Sequence, residues 1–167
     1  KAGILELDFN ESIPSASFGR IIPLQNQNLV DLNSNSSWMA GGTGINSTTV
    51  VFSRRIGNQD DLIKFDVSGS TAIETILFQP PNNTIIGDML YLPSSDSYVT
   101  VEYTGPRVRH YSSTGTVLGS ASLASIGQSA GIFCYNGEII VPRGGGWDEL
   151  YSLDLTTMSL SLLPETD

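Results

Sequence analysis

One short pattern recurs four times along this chain: an apolar residue, two intervening residues, a second apolar residue, then Asp or Ser. It reads Ile4…Leu7-Asp8, Leu62…Phe65-Asp66, Val108…Tyr111-Ser112 and Leu150…Leu153-Asp154. Each copy runs into a polar turn: Asn10-Glu11-Ser12, Ser68-Gly69-Ser70, Ser113-Thr114-Gly115 and Thr156-Thr157. The copies lie 58, 46 and 42 residues apart. Internal periods of that size mark chains built by repeating one supersecondary unit. The last two spacings fit a single period, and the first carries an insertion.

The units read as strands. Ile132–Tyr135 runs into Asn136-Gly137, a pair that favours a tight hairpin because both central residues tolerate positive φ. Ile139–Val141 returns, a glycine loop follows, and Leu150–Leu153 alternates before Asp154 opens the next turn. Met89–Leu92 and Ile132–Tyr135 are short apolar runs, expected to be covered on both faces. The strand after Met89–Leu92 alternates, with Val99, Val101 and Tyr103 on one face and Tyr98, Thr100 and Glu102 on the other. Thr71–Leu77 and Val117–Leu123 are more polar, as outer strands should be. No stretch holds a 3.6-residue period for three turns, and 17 Gly and 8 Pro supply many turns.

The expected fold class is therefore all-β, in propeller-like, four-stranded antiparallel blades, which repeat roughly every 40–50 residues. A β-sandwich with periodic hairpins is the alternative. Residues 1–23 supply an outer hairpin, and 25–78, 85–123 and 129–164 are blade-like units. Three and a half blades are fewer than the roughly four or more of a closed ring. The chain also starts at Lys1 with no signal peptide. It is thus expected to be a processed product or a piece of something larger, with its ring completed by the remainder of the same chain or by other subunits.

Asn136–Pro164 resembles a kelch repeat. The likeness rests on the Asn-Gly turn, the Ile139–Val141 strand, the Gly144-Gly145-Gly146 cluster, the Leu150–Asp154 strand and the closing Leu162-Leu163-Pro164. Residues 49–71 match more loosely, with Gly57 alone where a glycine pair is expected. The fourth-strand tryptophan of kelch blades is replaced by Leu160 or Leu162, and the unit at 85–123 lacks the glycine pair. The resemblance implies propeller blades. Kelch-like and other propellers include adaptors, oxidases, lectins and virion-tail parts, so it selects no function.

Seventeen acidic against eight basic residues give a net charge of −9, which repels nucleic acid and anionic membranes. No apolar run approaches the roughly 20 residues of a membrane span. Cys134 is the only cysteine; it rules out an internal disulfide and is expected to be a buried, inert thiol. His110, the only histidine, is expected to be solvated on its strand. One His and one Cys are too few for a His/Cys metal centre, and no nucleophile-elbow sequence accompanies His110.

Candidate binding residues follow from the repeat. Val50–Arg54 aligns with Ile139–Arg143, and each is followed by glycine and an acidic pair, Asp60-Asp61 or Asp148-Glu149. Arg54, Arg55 and Arg143 offer planar donor forks for a carboxylate or an acidic partner. Trp147, beside Asp148, offers a platform for a sugar ring or a partner side chain. In the bland reading, each arginine pairs with an acid of its own or a neighbouring blade and stiffens the loop. Adjacent acids in loops are ordinarily solvated. Asp31, Asn33 and Asn35 space oxygens like the start of a calcium loop, although Ser36 and Gly42 stand where glycine and glutamate belong. No cofactor is expected. Asn10, Asn35, Asn46 and Asn82 head N-x-Ser/Thr sequons.

The function expected from these features is a non-enzymatic structural or interaction module, a propeller segment of a larger extracellular or virion (tail-type) assembly. A glycan-binding lectin-like propeller, or part of a propeller oxidase or hydrolase, is the alternative.

Overall fold

The fold follows from the turns. In the computed structural model, which describes residues 3–10, 15–23, 30–32, 39–69, 72–81, 83–129, 131–144 and 149–164 (side chains from residue 40 onward), all the regular structure is β. Asn136 and Gly137 both take positive φ, 50° and 84°, the signature of the hairpin turn their sequence favours. In the last three of the four copies, the residue ending the recurring pattern ties down the turn after it. Asp66 accepts a hydrogen bond from the Ser68 N–H at 2.9 Å. Ser112 Oγ accepts from the N–H groups of Thr114 and Thr116 at 3.3 and 3.0 Å. Asp154 accepts from Thr156 and Thr157 at 2.7 and 3.3 Å. The repeat is thus a strand plus its own turn clasp.

The chain divides into two compact units, Lys1–Asn82 and Asn83–Asp167. The first unit holds two sheets. β1 (Gly3–Asn10), β2 (Ser15–Pro23) and β3 (Val30–Leu32) form an antiparallel sheet in that order. The expected two-stranded outer hairpin therefore carries a third strand, and Val30–Leu32 joins this sheet instead of opening the next. Pairing of Gly19–Ile21 with Val30–Leu32 occupies an edge of the hairpin that would otherwise stay open. The second sheet runs β4 (Met39–Asn46), β5 (Thr49–Ile56), β6 (Gln59–Asp66) and β7 (Ile73–Phe78), each paired with the next. Phe52, Ile63 and Phe65 pack on one of its faces, with the Phe52 and Phe65 rings edge-on at 6.2 Å. Gly42 lies across from Phe52, where an added Cβ would collide with the ring.

The second unit repeats the plan twice. β8 (Ile86–Leu92), β9 (Ser97–Glu102), β10 (Arg107–Ser112) and β11 (Val117–Ser122) form one four-stranded sheet. β12 (Phe133–Tyr135), β13 (Glu138–Pro142), β14 (Leu150–Asp154) and β15 (Ser159–Leu162) form the other. Between them lies one core: Val99, Val101, Val108, Ala121 and Leu123 from the first side, Ile139, Val141 and Leu153 from the second, closed by Ile126 and Ile132.

Several strand expectations need correction. Tyr98, Thr100 and Glu102 are as buried as the valines between them, so both faces of β9 are covered. His110 is half-buried, with Nε2 2.9 Å from Ser97 Oγ, and desolvation lowers its pKa. Its strand lies inside the sheet, between β9 and β11, which removes it from water. Cys134 is exposed, and so are Phe133 and Tyr135. β12 is a three-residue terminal strand bonded to β13 alone, so nothing in this sheet shields it from one side. The outer strands also carry exposed apolar residues: Ile73 and Ile76 on β7, Val117 and Leu118 on β11.

Candidate functional site

The arginines singled out by the repeat sit where the second strand of a sheet turns into the third. Arg54 on β5 lies directly opposite Asp61 on β6, and Arg55 opposite Asp60. Arg54 reaches Asp61 Oδ2 at 3.5 Å through one terminal nitrogen and bonds Glu74 of β7 through the other. Arg55 Nε binds Asp60 Oδ1. Gln79 donates to Asp61 Oδ1 at 3.0 Å. Asp60 and Asp61 are buried, not solvated as adjacent acids ordinarily are, because they lie in a central strand between the cations of β5 and the Gln79 amide. Arg54 Nε is buried without a hydrogen-bond partner.

The third four-stranded sheet repeats the arrangement. Arg143 leaves β13 and Glu149 enters β14, with the Arg143 N–H donating to the Glu149 carbonyl at 2.9 Å. Arg143 also binds Glu149 Oε2 at 2.9 Å, and the Tyr151 hydroxyl donates to the same oxygen at 2.8 Å. These two bonds, Tyr151 first, hold the Glu149 carboxyl below its usual pKa.

In the middle sheet the charges exchange places. Glu102 ends β9 where the other two sheets carry arginine, and its cross-strand partner on β10 is Arg107. Glu102 is fully buried. Its Oε1 accepts from the Tyr111 hydroxyl at 2.8 Å and lies 3.2 Å from Arg109. Its Oε2 has no hydrogen-bond partner and sits 3.7 Å from Arg107 Nε. Arg109 donates to the Tyr111 oxygen at 2.7 Å and spans that ring at 5.7 Å. Burial pushes the Glu102 pKa up, against the pull of the Tyr111 bond and the two arginines. The Tyr111 pKa is also raised, first by burial and then by the Glu102 charge. Glu102, Arg107, Arg109 and Tyr111 are not among the binding candidates the sequence points to. The repeat itself held the signal: laid on Val50–Arg54 and Ile139–Arg143, Tyr98–Glu102 puts Glu102 in the arginine column.

By formal charge Arg143 and Glu149 balance, Arg54 and Arg55 meet three carboxylates, and Glu102 meets two arginines. Arg54, Arg55 and Arg143 are engaged by carboxylates of their own sheets. Trp147 and Asp148 lie outside the described residues, as do Asn33 and Asn35. Asp31 is placed by its backbone in β3, opposite Arg20. Among the described residues no three of His, Cys, Asp and Glu gather to hold a metal ion.

With this geometry in hand, comparison with known proteins is informative about fold. No family profile and no curated protein matches the chain. Solved structures do. The β-propeller domain of Cps50 (Swd1) from Myceliophthora thermophila superposes with a TM-score of 0.62 at 13% identity, over 94% of this chain and 57% of that one. A chain of the nidogen/laminin complex gives 0.64 at 10% identity, over 87% and 56%. A protein of unknown function from Bacteroides caccae gives 0.63 at 13%, over 96% and 60%. The four-stranded sheets are propeller blades. At these identities the likeness establishes fold alone, and the chain spans a little over half the length of the structures it matches.

Proposed function

We propose that this chain is a non-enzymatic structural and interaction module, a β-propeller segment completed by further blades from other subunits or from the remainder of the same polypeptide, within an extracellular or virion assembly. The observation that carries the proposal is the open face of the last blade. Ile139, Val141 and Leu153 of that blade pack into the shared core. Strand alternation puts Phe133, Tyr135, Ile140, Pro142 and Leu150 on the opposite face, matched by the Phe133–Ile140 and Pro142–Leu150 pairings. On it Phe133 is 42%, Tyr135 66% and Leu150 40% exposed, around Ile140, which is buried at 2%. A cluster of large apolar side chains on one sheet face marks a contact surface, and in a propeller the surface next to a blade face is another blade. The acidic, Ser/Thr/Asn-rich composition supports an extracellular or virion setting, and the kelch pattern of Asn136–Pro164 supports a kelch-like lineage for the blades.

Sedimentation equilibrium tests the reading. The isolated chain should associate through this face, and the Phe133→Ser, Tyr135→Ser, Leu150→Ser variant should return to a 17.9 kDa monomer with its β spectrum intact. A wild-type chain that stays monomeric at millimolar concentration and binds no hydrophobic dye would sink it. The glycan-platform alternative depends on free arginines beside Trp147, and the carboxylate partners of Arg54, Arg55 and Arg143 weigh against it.

A further inference from the structure

We propose that Asn46 is an N-glycan acceptor; the proposal rests on the extracellular reading above and gives it a specific attachment point. Of the four sequons, this is the one whose three residues are all described with their side chains. Asn10 is the last residue of β1, paired opposite Ser15. Asn35 and Asn82 lie outside the described residues, but the hydroxyl partner of the Asn82 sequon, Thr84, is buried at 2% exposure and takes a hydrogen bond from Arg109 at 3.5 Å.

Asn46-Ser47-Thr48 occupies the tight turn between β4 and β5, and both Asn46 and Ser47 are exposed. The Asn46 side-chain oxygen accepts from the Thr48 N–H at 2.9 Å and from the Thr48 hydroxyl at 3.1 Å. Both bonds draw electron density from the carboxamide and make its Nδ2 protons more acidic, while the hydroxyl two residues on is already in place beside the group to be modified. The turn lies at the opposite end of β5 from Arg54, so a glycan there leaves the Arg54–Asp61–Glu74 cluster uncovered.

The step is an ordinary glycosyl transfer. A bond forms between Asn46 Nδ2 and the anomeric carbon of an oligosaccharide carried on a lipid pyrophosphate. The bond from that carbon to the pyrophosphate oxygen breaks, the lipid pyrophosphate leaves, and a transferase carboxylate takes the amide proton.

Cell-free translation of the chain behind a heterologous leader, with microsomal membranes present, tests this directly. The wild-type chain should carry a glycan that Asn46→Gln and Thr48→Ala each remove, seen as the loss of one mobility step and as site-resolved conversion of Asn46 to Asp by peptide N-glycosidase. Equal glycan number in wild type and Asn46→Gln, or occupancy only at Asn10, Asn35 or Asn82, would overturn it. Should the protein purified from its source lack the glycan while the microsomal product carries it, the compartment assigned above is wrong and the acceptor site stands.

Discussion

At the scale of single residues, burial decides which ion pair matters. Arg54 and Asp61 are both nearly withdrawn from water, whereas Arg143 and Glu149 keep side-chain exposures of 26% and 31%. Removing one member of a buried pair strands the other and costs about 3–5 kcal/mol; an exposed pair contributes about 0–1 kcal/mol. Urea unfolding should therefore separate Arg54→Ala, strongly destabilised, from Arg143→Ala, close to wild type. Glu102 supplies a pH test. Its carboxyl holds a proton more tightly folded than unfolded, so its contribution to stability is largest below the ordinary glutamate range and declines as pH rises through the raised pKa. Asp66, Glu149 and Asp154 are shifted the other way and lose their contribution as pH falls. Unfolding free energies measured from acid to neutral pH should rise more steeply in Glu102→Gln than in wild type. An unchanged slope would mean Glu102 titrates alike in both states. The place of Glu102 in the arginine column is legible in the repeat, but its burial is not: in an alternating strand it is one polar position, and only the covering of both faces of β9 makes it a buried charge.

At the scale of elements, what is local is legible. The Asn136-Gly137 hairpin follows from two residues that tolerate left-handed backbone, and Gly137→Ala at φ 84° should cost about 1–2 kcal/mol, read from the denaturation midpoint. The Asp and Ser that close the recurring pattern follow equally from side-chain clasps on neighbouring N–H groups. What is not local is not legible. Cys134 has apolar neighbours and so suggested burial, yet strand order leaves β12 at an edge. Its thiol should react with Ellman's reagent in the native protein about as fast as in denaturant; a thiol silent until unfolding would contradict the exposed placement.

At the scale of the whole molecule, the period of the repeat reveals the blades but not the number that close a ring, since closure depends on partners for sheet faces and not on any residue within a sheet. The chain covers just over half the length of each solved structure it was set beside, and Phe133, Tyr135 and Leu150 stay exposed on its last sheet. The Arg sites divide likewise: the repeat points to Arg54 and Arg143 and to the acids Asp60, Asp61 and Glu149 that follow them, while the contact of Arg54 with Glu74 on β7 comes from strand order alone.

The exchanged charge order of the middle blade bears on how such a chain finds its own strands. Repeated blades invite pairing between the wrong copies while folding. If β5 captured β10, Arg54 would meet Arg107; if β9 captured β14, Glu102 would meet Glu149. Like charges set opposite one another across a sheet repel, so blades adjacent in sequence, which are the readiest to trade strands, reject each other's. The swap acts as a matching key for self-assembly, present in the chain before any blade has formed.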